Sequence, residues 1–158
     1  MARREKIIII KDREQELTFK IREMPATHLE SWIIRSVILL AGAGADVPLG
    51  RDIHASVAYL AERGLASLGN IDFEKAKPLL DELLGCCSRL VENIEEKCTP
   101  ASVDSYVEDI STLLQLRMEA IKLNLGFFKP GTGNPSGSRE KPDTSGQAQE
   151  ASSPNTPT

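Results

Sequence analysis

Aromatic residues are scarce in this chain, and long apolar runs are absent. Phe, Tyr and Trp together make up 4% of the residues, so the core has to be built from Leu, Ile, Val and Ala, a composition that favours helices. No apolar run approaches the roughly 20 residues needed to cross a bilayer. The run Ile7–Ile10 is shorter than the apolar region of about 7 to 15 residues that a secretory signal requires. We therefore expect a cytoplasmic protein that does not contact membranes.

Cysteine and histidine are also rare. Cys86 and Cys87 are adjacent, Cys98 stands apart, and no CxxC pair occurs, so we expect reduced cysteines that pack as small apolar groups and bind no metal. His28 and His54 are the only candidate general bases for chemistry near neutral pH. His28 lies in a predicted capping-box turn, and His54 has no neighbouring Ser or Cys and no flanking motif. The sequence thus predicts no catalytic residues, no cofactor and no enzyme.

The charge balance is acidic. The formal net charge is -4, and the one obvious basic cluster, Arg3, Arg4 and Lys6, lies at the terminus. Nucleic-acid binders usually concentrate Lys and Arg on one face, so we expect no nucleic-acid partner. A helix-turn-helix formed by residues 28–66 remains a minor alternative.

Two strands are predicted at the N-terminus. Ile7–Ile10 is a β-branched run, and Leu17, Phe19 and Ile21 alternate with polar residues, which is typical of a half-buried strand. A short polar segment separates the two strands, so we expect a β-hairpin whose apolar face rests on helices.

Four helices are predicted after the hairpin. A capping box from Thr27 to Glu30 begins a helix that is apolar on nearly every side up to Leu40. A second helix is predicted over residues 52–65. A third is predicted with Pro78 in its first turn, because apolar residues recur at helical spacing from Leu79 to Ile94, and Asp72 is a plausible cap for this stretch. A last helix is predicted over residues 109–125, while residues 99–109 are left open.

The composition changes after Phe128. Residues 129–158 are rich in Pro, Gly, Ser and Thr and contain no large apolar residue, so we expect a disordered tail behind a domain of residues 1–128. The predicted fold class is therefore mainly α: a small helical bundle with an N-terminal β-hairpin and a disordered C-terminal tail.

Apolar residues are numerous for so small a bundle. Some of them are expected to form a surface for a partner protein or for self-association. The candidates for partner contact are Trp32 on the first helix and, at the end of the last helix, Leu123, Leu125, Phe127 and Phe128.

The sequence resembles the tail assembly chaperones of long-tailed bacteriophages. The resemblance is carried by four stretches within residues 6–128: Leu17–Ile21 with Met24–Thr27 and Trp32, then Pro78–Leu84, Val103–Asp109, and Leu116–Ile121 with Gly126–Phe128. It implies a non-enzymatic cytoplasmic factor of a phage or prophage. Such a factor binds the tape measure protein, keeps it soluble, helps to recruit tail tube protein and is not retained in the mature virion. The alternative is another helical interaction protein, such as a head–tail adaptor or an antitoxin-like inhibitor.

Overall fold

The computed structural model describes residues 2–48, 53–63, 66 and 71–126. Their elements follow in the order β1 (Glu5–Asp12), β2 (Gln15–Arg22), α1 (Ala26–Gly42), α2 (Ile53–Arg63), α3 (Phe73–Leu84), β3 (Cys87–Val91), β4 (Ile94–Lys97), α4 (Pro100–Val103) and α5 (Ile110–Leu125). Residues 127–158, which include the predicted disordered tail, lie outside the described residues.

The four strands form one antiparallel sheet in the order β1-β2-β3-β4. The predicted hairpin is present: β1 pairs with β2 from Glu5 opposite Arg22 to Asp12 opposite Gln15. Between β2 and β3 the chain forms α1, α2 and α3, and it then returns to the sheet beside β2. Consecutive strands are therefore neighbours in the sheet, and three helices are inserted between β2 and β3.

The prediction of a mainly α fold is wrong, because a second hairpin occupies residues 87–97. Val91 pairs with Ile94 across a two-residue turn in which Glu92 has φ 47° and Asn93 has φ 71°. Positive φ at both central residues is the signature of the type I′ turn, whose twist suits a tight hairpin. The apolar spacing from Leu79 to Ile94 matched a helix by coincidence, and α3 ends at Leu84. The fold is α+β, with a four-stranded sheet and helices together.

The helix starts differ in part from the prediction. α1 begins at Ala26 with Pro25 as its N-cap and has no side-chain cap, so Thr27 lies inside the helix and the predicted capping box is wrong. A capping box does occur at α4, where Thr99 and Ser102 bond each other's backbone amides. Asp72 caps α3, as the sequence indicated, by accepting from a backbone amide. Asp109 caps α5 in the same way.

The core lies where the helices cover one face of the sheet. Leu17, Phe19 and Ile21 of β2 are buried there, together with Leu116 and Leu125 of α5. α5 packs against β1, β2, α2 and α3, and so occupies the centre of the helical layer.

Two buried polar groups fix the ends of α5. The Asp12 carboxylate accepts from the backbone amides of Glu108 and Asp109 just before the helix. Near the other end, the Asn124 Oδ1 accepts from the Met24 backbone amide at 2.8 Å. Buried polar groups need such partners, so these contacts hold α5 in register with the β1–β2 hairpin and with the start of α1.

Candidate interaction surface

His28 and Cys86 line one surface cleft of about 750 Å³. His28 Nε2 lies 2.9 Å from Glu82 Oε2, and Arg35 binds both oxygens of the same carboxylate at 2.7 Å. These contacts, the Arg35 hydrogen bonds first, hold the pKa of Glu82 below its ordinary value. Burial raises the pKa of the nearby Cys86 thiol to about 11, so it is protonated and a weak nucleophile at neutral pH. The geometry is that of an ion-pair network that joins α1 to α3.

The other two cysteines belong to the core. Cys87 and Cys98 are buried and free of disulfides, and burial raises the pKa of both thiols. The Cys98 sulfur lies 3.3 Å from the Tyr106 hydroxyl, and the Arg89 guanidinium stacks 4.4 Å above the Tyr106 ring. Among the residues with described positions, no group of His, Cys, Asp and Glu has the arrangement of a metal site.

Three of the five candidate partner residues lie within the described part, and two of these are enclosed. Trp32 is buried, and its Nε1 donates to the Leu79 carbonyl at 3.1 Å. Leu125 is fully buried, and Leu123 is half-buried against the core. The assignment of Trp32 and Leu125 to a contact surface is therefore corrected, since both fill the interior. Phe127 and Phe128 lie outside the described residues.

Apolar side chains are nevertheless exposed at other positions. The large ones among the described residues are Ile7, Ile9, Ile34, Ile38, Phe73, Val91, Ile94, Ile110 and Leu114. Six of them form pairs within a single element: Ile7 and Ile9 on β1, the α1 patch of Ile34 and Ile38, and the α5 patch of Ile110 and Leu114. The members of each helical pair are four residues apart and so lie one turn apart on one helix face.

The exposed fractions of the helical pairs are large. They are 46% for Ile34 and 66% for Ile38 on α1, and 73% for Ile110 and 48% for Leu114 on α5. The α1 patch was not predicted, because apolar residues lie on nearly every side of α1 and outnumber its polar residues. Ile110 and Leu114 face water near the N-terminus of α5.

Polar groups lie beside the helical surfaces. Arg35, on α1, pairs with Glu82 of α3, and Lys77 pairs with Asp81 one turn apart on α3. On the open face of the sheet, Glu5 bonds Lys20 and Arg22, and these hydrogen bonds, Arg22 first, lower the pKa of Glu5. Exposed apolar patches beside charged groups are typical of protein-interaction surfaces.

The helix-turn-helix alternative loses support from the fold. α1 ends at Gly42 and α2 begins at Ile53, whereas the turn of that motif has about three or four residues. None of the helices among the described residues is both long and apolar enough to cross a bilayer.

Comparison of this chain with protein-family models, with curated proteins and with solved structures finds no match.

Proposed function

We propose that this chain is a tail assembly chaperone of a long-tailed phage or prophage. In this role it is a non-enzymatic factor in the host cytoplasm that binds the tape measure protein, keeps it soluble and helps to recruit tail tube protein. It leaves before the virion is complete. The observation that carries the proposal is the exposure of Ile34 and Ile38 on α1 and of Ile110 and Leu114 on α5. The resemblance described above supplies the identity of the partner.

The physical case starts from the partner's chemistry. A tape measure is a very long, largely helical chain with apolar stripes, and it aggregates unless those stripes are covered. A helix can cover such a stripe with residues spaced by four positions, which is the spacing within both patches. The two patches would therefore act as short apolar ridges along the partner.

The strength of such contacts is modest. Burying a whole Ile or Leu side chain contributes about 1.5–3 kcal/mol, and the patch residues are already about half-buried or somewhat less. Each patch would then contribute roughly 2–3 kcal/mol before the cost of association is subtracted. Single contacts of this size are weak and reversible, as a chaperone that must be displaced requires. Many copies on one partner would still keep it soluble.

Coexpression tests the role. The tape measure is the product of the very long reading frame expected downstream of this gene, and it should be mostly insoluble alone and mostly soluble with this chain. A tape measure that is equally soluble with and without this chain contradicts the proposal. A complex with a head or neck protein instead, at unchanged tape measure solubility, would favour the adaptor alternative.

Patch variants test the surface. Ile34→Ser with Ile38→Ser, and separately Ile110→Ser with Leu114→Ser, should lower the soluble fraction of the tape measure and leave the fold intact, since all four side chains face water. Phe73→Ser is the matched control, because Phe73 is 63% exposed on α3 and belongs to neither patch. Equal losses for the control and the patch variants would show that general surface apolarity, and not these patches, carries the effect.

A further inference from the structure

The two edges of the sheet differ in how they are protected. β4 is short, all four of its residues are exposed, and three of them, Glu95, Glu96 and Lys97, are charged. Short and charged edge strands resist pairing with other chains. β1 has eight residues, contains four consecutive isoleucines and no proline, and forms the opposite edge. Its free edge is therefore the one open to another strand.

The hydrogen bonds of β2 show which β1 residues face outward. The Glu23 amide donates to the Arg4 carbonyl, and the Arg22 amide donates to Cys86 on the other side. Because bonded and non-bonded pairs alternate in an antiparallel ladder, Arg4 and the even-numbered residues of β1 bond to β2. The backbone N–H and C=O groups of Glu5, Ile7, Ile9 and Lys11 therefore point away from β2, toward the free edge of the sheet. No described residue from another element bonds to them.

The same four residues share the open face of the sheet. Glu5 lies opposite Arg22 and Ile7 opposite Lys20 on that face, and Ile7 and Ile9 are 61% and 64% exposed. The residues of β1 whose backbone groups are free at the edge are thus the same ones that include the exposed Ile7 and Ile9. A strand added there would gain main-chain hydrogen bonds and apolar contact at once.

We infer that β1 pairs with β1 of a second copy of this chain, antiparallel and about a two-fold axis at Ile8. Outward-facing residues must pair with outward-facing residues, which leaves only registers in which odd positions face odd positions. In the register centred on Ile8, Glu5 faces the second copy's Lys11, and Ile7 faces the second copy's Ile9. If the two-fold axis lay at Ile9 instead, Ile7 would face the second copy's Lys11, and an apolar side chain would be paired with a charged one.

The charge pattern selects this partner. Glu5 and Lys11 lie at equal distances on either side of Ile8, with opposite charges and isoleucines between them. An antiparallel copy therefore matches both charges and both isoleucines that β1 places on the open face. The result is one continuous eight-stranded sheet. This inference does not rest on tape measure binding, because the chain alone is sufficient to form the dimer.

Sedimentation velocity of the purified full chain over a dilution series tests the inference. The wild type should show a reversible monomer–dimer equilibrium. Ile9→Lys should raise the dissociation constant about a hundredfold or more, because both apolar contacts between position 9 and Ile7 of the second copy are lost. Ile38→Lys is the matched control, since Ile38 is as exposed as Ile9 but lies on α1, and it should leave the constant unchanged. A wild type that stays monomeric, or a control that dissociates equally, overturns the inference.

A charge exchange tests the register. Lys11→Glu and Glu5→Lys should each weaken the dimer about tenfold, because each places two like-charged pairs across the axis. Mixing the two variants should restore association in a heterodimer, since the introduced lysine at position 5 then faces the introduced glutamate at position 11. The mixing step also controls for the ion pairs that Glu5 makes with Lys20 and Arg22. A mixture that associates no better than either variant alone contradicts the register.

Discussion

Replacement of the buried Asp12 by Asn, an isosteric change, should destabilise the fold strongly. Asp12 ends β1 and is completely buried. Its Oδ1 accepts from the Asp109 amide at 2.9 Å and from the Thr112 hydroxyl at 2.7 Å. Its Oδ2 accepts from the Glu108 amide at 2.8 Å and from Gln15 Nε2 at 3.2 Å. The carboxylate thus joins the first hairpin to the start of α5.

The magnitude follows from the donors that the amide would face. Asn presents one oxygen and one NH2 group, so two of the four donors would meet another donor. A buried donor without an acceptor costs about 1–3 kcal/mol, and Gln15 is able to turn toward water. The expected loss is therefore about 2–3 kcal/mol in the free energy of unfolding at neutral pH, or a fall in Tm of about 10 °C for a domain of this size.

The pH dependence gives a second and independent test. Burial alone would raise the pKa of Asp12, but the hydrogen bonds, that of the Glu108 amide first, hold it below the ordinary value of 3.8. A carboxylate with a lowered pKa in the folded state stabilises the fold above its unfolded pKa and loses that contribution as the pH falls through the folded value. The difference between wild type and Asp12→Asn should thus be full at pH 6–7 and narrow progressively below about pH 4.

Urea unfolding followed by circular dichroism measures both effects. Asp46→Asn is the control, because Asp46 is exposed in the segment after α1, and it should change the free energy of unfolding by no more than about 0.5 kcal/mol. A loss for Asp12→Asn as small as that of the control would refute the reasoning. A loss that is equally large at pH 7 and pH 3 would show that the negative charge of Asp12 is not what the four donors stabilise.

Three further predictions concern the core, the second hairpin and the chain beyond α5. Trp32→Phe should lower the free energy of unfolding by about 1–3 kcal/mol in denaturant titrations, because it removes the hydrogen bond to Leu79 and leaves part of the core volume unfilled. A variant that is as stable as the wild type but solubilises less tape measure protein would show that Trp32 contacts the partner. Asn93→Val should cost about 1–3 kcal/mol because Asn93 has φ 71°, whereas Asn93→Gly should be tolerated, and equal stability of the two would contradict the type I′ turn. Phe127→Ser with Phe128→Ser should leave the unfolding midpoint nearly unchanged and weaken tape measure solubilisation; undiminished solubilisation would place the contact surface elsewhere.

The hairpin of β1 and β2 and the helix α5 were predictable because their signals are local. Alternation of Leu17, Phe19 and Ile21 specifies a half-buried strand by itself, and Asp109 stands directly before a long helical stretch. The second hairpin was not predictable by spacing, since an apolar set from Leu79 to Ile94 satisfies a helix as well. The better signals were Gly85 and the Glu92–Asn93 pair between β-branched residues. These mark a helix end and a tight turn.

The exposed apolar patches were harder to predict than the fold. Trp32 has the residue type of a contact hot spot, but apolar residues lie on nearly every side of α1, and this hid which side meets α2 and α3. Burial of Trp32 and exposure of Ile38 are consequences of that packing, not of the residues themselves. The role of Asp12 was likewise hidden, because its partners Glu108 and Thr112 lie about a hundred positions away.

Site-specific photo-crosslinking tests most directly whether the exposed apolar residues are the docking surface. A photoreactive amino acid would replace Ile38 in the α1 patch, Leu114 in the α5 patch, or Phe73 outside both, and each chain would be coexpressed with the tape measure protein. Our account predicts crosslinks to the tape measure from the two patch positions and few or none from position 73. Crosslinks of equal yield from all three positions, or from position 73 alone, would contradict it.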